Sequence, residues 1–73
     1  NPFVWRMADA FAGRISREAG DDAGRQVRRA WLLALGRDPD ETETKKGQAL
    51  VEKHGLASLC RVLFNSSEFV LIE

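Results

Sequence analysis

The sequence predicts an all-α fold: a compact bundle of four short helices with a short C-terminal turn and an apolar tail. Three observations carry this. Apolar residues recur at helical spacing in several segments, as in Val27, Ala30, Trp31, Ala34 and Leu35. A helix–glycine–helix pattern recurs at Gly20, Gly36 and Gly55, and short loops of this kind favour a bundle. No segment shows the alternation of a half-buried strand, and there is no internal repeat or low-complexity stretch.

The first helix opens on Asn1 and Pro2, an N-cap and a first-turn proline. Phe3, Met7, Phe11 and Ile15 follow at i+4 spacing with Val4 and Ala8 beside them, and are expected to form its apolar stripe. Gly20 ends it in a left-handed conformation. Asp21 or Asp22 caps the second helix, whose outer side carries Arg25, Arg28 and Arg29, and Gly36 stops it. Arg37-Asp38-Pro39-Asp40 is the connecting turn, with Asp38 held extended by the proline that follows. Asp40 and Glu43 have capping-box spacing, and the third helix runs from about Glu41 to His54. Its apolar content is thin (Ala49, Leu50 and Val51), and Gly47 allows a close approach, so it is expected to be the most exposed helix. After Gly55 the fourth helix starts near Leu56. Leu59, Val62 and Leu63 are its expected inner stripe, flanked by Cys60 and Phe64. Asn65-Ser66-Ser67 breaks it, and Phe69 is expected to pack under the bundle ahead of the apolar tail Val70, Leu71 and Ile72.

Seventy-three residues make a single helical domain, 1–73. A chain of this size buries only about 60% of the surface that its unfolded form exposes, so its core is marginal. With Cys60 as the only cysteine and His54 as the only histidine, it holds neither an internal disulfide nor a Cys/His zinc site, and no cofactor is expected within it. The longest strictly apolar run, Ala30 to Leu35, is far short of the roughly 20 residues of a membrane helix, so no membrane insertion is expected. The chain opens on Asn-Pro-Phe without a secretion signal and reads as the C-terminal fragment of a longer protein. Net charge is zero but unevenly placed. Residues 1–37 carry seven Arg against four acids (+3), and residues 38–73 carry four Lys or Arg against seven acids (−3). This reads as two solvated faces, or as a dipolar surface that docks on a partner.

Constellations that suggest chemistry mostly dissolve on inspection. Asp38, Asp40, Thr42 and Thr44 alternate like the start of a calcium loop, but Glu43 stands where that loop requires glycine and Ala49 where it requires a bidentate Glu. Arg14, Arg17, Arg25, Arg28, Arg29 and Arg37 could form a basic patch. The neutral total and the acids Asp38, Asp40, Glu41 and Glu43 at the second turn argue against a nucleic-acid partner. Ser66, Ser67 and Glu68 with His54 and Cys60 lack the Gly-x-Ser-x-Gly elbow of a hydrolase. His54 is better read as a complement to a helix C-terminus, and Cys60 as a small core residue. Asn65-Ser66-Ser67 is formally a glycosylation sequon, although its structural reading as a helix-ending cap is the stronger one. Trp31 lies on an inner face, whereas Trp5 sits off the Phe3/Met7 stripe and is the first candidate for a docking contact, with Arg6, Arg14 and Arg28 beside it as candidates.

The run Val27 to Glu41, the stretch Leu56 to Leu63 and the close Asn65-Ser66-Ser67-Glu68-Phe69 together resemble the C-terminal end of a planctomycete-specific domain of unknown function. Members of that family carry an "ALGR-x-P" turn and finish on "LLNSNEF" with a short apolar tail. Asn1-Pro2-Phe3-Val4 resembles the segment that leads into its last helices. The resemblance covers nearly the whole chain but only the last part of the family domain. Ser67 stands where Asn is usual, and Val70-Leu71-Ile72-Glu73 replaces a tail that often contains Tyr. The resemblance implies a large exported parent, periplasmic or extracellular, often with a cytochrome c-like domain upstream. It carries over no catalytic residue. A looser likeness, through Leu35 to Asp40 and Ser67-Glu68-Phe69, is to short bacterial surface modules with an "LGR-x-PD" turn.

These readings converge on a non-catalytic structural or interaction module whose partners are the upstream domains of its own polypeptide, or another protein. The alternatives are an accessory helical cap for an enzyme or redox protein with its site upstream, and, less favoured, a nucleic-acid-binding domain. The expected structural clasp comprises Gly36, Arg37, Asp38, Pro39, Asp40, Asn65, Glu68 and Phe69, with Arg37 paired to Glu68 or Asp38 and Phe69 plugging the end of the bundle.

Overall fold

The computed structural model describes residues 2–66, apart from the Val4 side chain, and its chain order is α1 (Pro2–Ala19), α2 (Ala23–Leu35), α3 (Glu41–His54) and α4 (Leu56–Phe64). The fold is the expected all-α four-helix bundle, with no strand among the described residues. Asn1 and the tail from Ser67 onward, including Glu68 and Phe69, lie outside the described residues.

Each helix end has an identifiable cause. Gly20 adopts φ 77°, a left-handed conformation that costs glycine little, and its N–H donates to the Ser16 carbonyl at 3.0 Å. The Gly20 carbonyl in turn accepts from the buried Gln26 side chain at 2.6 Å, tying the α1–α2 turn to the next helix. Of the two candidate caps, Asp22 is the one used: its carboxylate accepts from the Arg25 N–H at 3.0 Å. Gly36 ends α2 at φ 74°, with its N–H on the Leu32 carbonyl. The capping box at α3 is complete, with Glu43 N–H donating to Asp40 at 2.8 Å and Asp40 N–H donating to Glu43 at 2.9 Å. The Asn65 N–H closes α4 on the carbonyls of Arg61 and Val62.

The packing is a rhombus in cross-section. α2 and α4 touch each other along the short diagonal, and each touches both α1 and α3, whereas α1 and α3 make no backbone approach. The core lies along that diagonal: Val27, Ala30 and Trp31 from α2, Leu59, Cys60 and Leu63 from α4, and Ala8 and Ile15 from α1. Gly47 is the sole buried residue of α3 among those described, but α3 is not the most exposed helix as expected: α1, whose first turns reach past the core, has the larger share of exposed residues. A Cβ at Gly47 would stand 2.9 Å from Val27 Cγ1 and 3.1 Å from Trp31 Cζ3, so the absence of a side chain is what lets α3 close on α2.

Two expected stripes are corrected. On α1, Phe3 is 64% exposed and Met7 is 37% exposed, while Ala8 and Ile15 are fully buried. The reason is geometric: each i+4 step advances about 40° around a helix, so a four-member i+4 series drifts by roughly 120° and cannot share one narrow face. The buried face instead follows Ala8, Phe11, Ala12, Ile15 and Ala19, a mixed i+3/i+4 pattern. On α4, Val62 is 54% exposed and Cys60 takes its place in the core, because Leu59, Cys60 and Leu63 define a face from which Val62 points roughly 100° away. Phe64 flanks that face as expected, its ring 5.3 Å from that of Phe11.

Candidate functional site

The rhombic packing leaves a cleft. Because α1 and α3 stand apart, α4 forms a floor between them, and the floor presents the exposed Val62. A depression of about 650 Å³ here is lined by Trp5 from α1, Leu50 from α3, Ser58, Arg61 and Val62 from α4, and Asn65 and Ser66. A second, of about 200 Å³ and almost wholly apolar, continues from it through the shared Leu50 and Val62 towards the core residues Trp31 and Leu59, with Gly47, Lys46 and Glu43 at its edge.

Trp5 stands on the rim of this cleft and is 61% exposed. It continues the inner side of α1, three residues before Ala8, but the bundle does not extend far enough to cover it. The Arg61 guanidinium lies over its ring at 5.6 Å from the centroid, a cation–π contact of about 0.5–1 kcal/mol at an exposed site. Arg61 is itself held by a 2.8 Å hydrogen bond donated to Ser58 Oγ. With Phe3 and Met7, the first turns of α1 therefore expose three large apolar side chains.

The other docking candidates do not join Trp5. Arg14 follows it by nine residues, about two and a half turns, and so projects from the opposite side of α1. Arg14 donates to Glu18 at 2.9 Å, and Glu18 also accepts from Arg29 of α2, an α1–α2 link that holds the Glu18 carboxyl below its usual range, chiefly through the Arg14 hydrogen bond. Arg28 is paired with Asp38 at 3.2 Å and lines a separate shallow depression with Ala19, Arg25, Arg29 and Leu32. Arg6 is exposed on α1, well round from the buried face.

Among the described residues, Arg37 of the expected clasp pairs with Glu43. Arg37 makes a bidentate pair with Glu43, two contacts of 2.8 Å, and also donates to the Asp38 backbone carbonyl at 3.1 Å. The Asp38 carboxylate, expected to answer Arg37, binds Arg28 instead. Glu43 therefore joins the α3 capping box to the α2–α3 turn, and the Thr44 hydroxyl adds a bond to the Asp40 carbonyl. The Arg37 guanidinium first, and the Asp40 N–H second, hold the Glu43 carboxyl down at about 2. The Trp31 indole lowers it slightly as well without reaching hydrogen-bonding geometry, and its buried Nε1 has no partner among the described residues. The sequence signal for this pairing was the capping box itself. A Glu that reaches back to its N-cap places its carboxylate beside the residues just before the cap, and Arg37 is three positions before Asp40. The Arg37–Glu68 pairing and the Phe69 plug lie outside the described residues.

The groups with intrinsic reactivity are poorly placed for chemistry. Cys60 has no accessible surface, and burial pushes its thiol up to about 12, where it is protonated and inert. His54 is exposed at the end of α3. Among the described residues no three His, Cys, Asp or Glu side chains gather as a metal site, and no helix is long and apolar enough to cross a membrane.

Comparison with known proteins adds no relative: no family model, curated protein or solved structure matches the chain.

Proposed function

We propose that the chain is a non-catalytic docking module, and that its docking face is the first two turns of α1 together with the Trp5 rim of the cleft. The observation that carries this reading is the 61% exposure of Trp5 at the rim of the cleft, with Phe3 and Met7 exposed on the other side of the same two turns of α1. Exposed large apolar groups mark interaction surfaces, and tryptophan in particular combines a large contact area with low conformational entropy. The Arg61 contact orients the Trp5 ring in advance, which lowers the ordering cost of binding.

The partner is the upstream part of the same polypeptide, which would reach the domain through the start of α1. On the resemblance to the planctomycete-specific domain, that polypeptide is a large exported protein and this module is its C-terminal close. A docking role is also consistent with the buried, protonated Cys60 and with the ion pairs that engage Arg14, Arg28 and Arg29 within the chain.

The test is a calorimetric titration of this chain with the region that precedes it in its parent. Trp5→Ala should leave the helical content and melting temperature nearly unchanged and weaken association by about 2 kcal/mol, roughly 30-fold, as a central aromatic anchor does. Unaltered affinity in Trp5→Ala, with Arg28→Ala weakening it instead, would move the docking face to the α2 side and overturn the reading.

A further inference from the structure

The outward side of α2 is a single stripe of one charge. Arg25, Arg28, Arg29 and Leu32, at i, i+3, i+4 and i+7, are all exposed, while Gln26, Val27, Ala30 and Trp31 between them are buried. With Ala19 of α1 the four line a shallow depression of about 290 Å³, and none of the described residues that line it is acidic. Ala19 lies fourteen residues along α1 from Trp5, about 21 Å, so this face is separate from the Trp5 rim.

The stripe is electrostatically unfavourable by itself. Arg25 and Arg29 are like charges at i, i+4, a spacing that weakens a helix. Arg25 also stands in the first turn, where the helix dipole disfavours a cation, and α2 contains no acid that offsets either. Among the described residues the Arg25 side chain has no ion pair. Arg28 is held only by Asp38 at 3.2 Å, between side chains 69% and 59% exposed, and such a pair exchanges readily for a better one. Two guanidinium forks, each shaped for a carboxylate, therefore stand beside an exposed leucine.

The anion that fits is short. Glu18 pairs with Arg29, Asp38 with Arg28, and Asp22 accepts from the Arg25 N–H, so acids border the stripe and repel a nucleic-acid backbone laid across it. From Arg25 to Leu32 is about 10 Å along α2, a distance that three residues of an extended chain cover.

We propose that the outward stripe of α2 is a second docking face, which takes a short acidic segment of a partner protein. Two neighbouring carboxylates sit on Arg25 and Arg28, and an apolar side chain two residues beyond them sits on Leu32 and Ala19. The proposal does not rest on the Trp5 docking role, and its test uses a different probe, so either can fail alone.

The test is a nitrogen–proton and methyl correlation titration of the full chain with the acetylated, amidated peptide Gly-Glu-Glu-Gly-Leu-Gly at low salt. The Arg25 and Arg28 side-chain Nε–H signals and the Leu32 methyls should shift together and saturate. Arg25→Gln should weaken binding about five-fold, whereas Lys45→Gln, which removes the same charge from the surface of α3, should leave it unchanged. Added sodium chloride should weaken binding further. Absence of saturable shifts overturns the proposal. So does equal binding of the Gly-Gln-Gln-Gly-Leu-Gly peptide, which would leave an apolar contact only, and so does an equal effect of Arg25→Gln and Lys45→Gln. A DNA duplex that shifts these signals more than the peptide does would make the face a polyanion site and overturn it as well.

Discussion

Replacing Gly47 with alanine tests the packing of α3 on α2 at a single atom. The added Cβ would stand 2.9 Å from Val27 Cγ1, 3.1 Å from Trp31 Cζ3 and 3.3 Å from Val27 Cγ2. Ordinary carbon contacts lie at about 3.5–4.0 Å, so the two neighbours together must yield several tenths of an ångström. Neither does so readily: Val27 is fully buried with a stiff β-branched side chain, and Trp31 is wedged in the core. Overpacking of this kind costs about 1–3 kcal/mol. Against it stands the gain from replacing a mid-helix glycine, about 0.8–1.0 kcal/mol. The net expectation is a loss of about 1 kcal/mol, which in a domain of this size lowers the melting temperature by about 4–8 °C. Gly13→Ala is the control. It too is a mid-helix glycine, but its Cβ would meet only the flexible end of Arg17 at 3.5 Å, so the propensity gain should appear alone as stabilisation. The propensity gain is common to both variants and cancels between them, which leaves about 2 kcal/mol as the clash itself. Urea unfolding followed by far-ultraviolet circular dichroism measures that difference directly. Equal stabilisation by the two substitutions would refute the close α2–α3 contact.

Other expectations follow from the same structure. Glu43 titrates at about 2 in the folded chain against an ordinary 4.5, so its contribution to stability is complete above about pH 4.5 and lost as pH falls toward 2. Glu43→Gln should therefore flatten the acid limb of a stability–pH curve in that window, and an unchanged slope would contradict the Arg37 pairing. Asp40→Ala removes the α3 N-cap and should cost about 1 kcal/mol, most of it restored in Asp40→Asn, as read by thermal melting. Cys60 should resist a thiol reagent at mildly alkaline pH and react only on unfolding, so that modification tracks the urea transition; rapid labelling of the native chain would contradict its burial.

The sequence was most legible where one residue type meets one backbone requirement. Gly20, Gly36 and Gly55 do adopt positive φ at the predicted helix ends, and Asp40 with Glu43 forms the predicted box. Trp31 and Gly47 were readable because a large inner residue and a bare position suit a close helix crossing. The α1 stripe was not, because i+4 spacing alone drifts around the helix, and only the neighbours decide which arc is covered. Val62 was misplaced for a related reason: the four apolar residues Leu59, Cys60, Val62 and Leu63 around Arg61 in α4 admit two overlapping faces, and the side left open by the separation of α1 and α3 takes the outer one. Arg37 had several acids within reach in sequence, and the choice of Glu43 depended on the cap geometry turning that carboxylate back toward the turn. The docking arginines were grouped by composition, whereas helical rotation puts Arg14 on the far side of α1 from Trp5 and an ion pair draws Arg28 to Asp38.

The two tryptophans make the docking reading directly measurable. A nitrogen–proton correlation spectrum of this chain, recorded alone and then with the preceding region of its parent added, separates the exposed Trp5 indole from the buried Trp31 indole. The account predicts that the Trp5 indole and the amides of Phe3 to Met7 shift while the Trp31 indole stays in place. A spectrum in which nothing moves, or in which the shifts centre on Arg14 and Arg28, would contradict it.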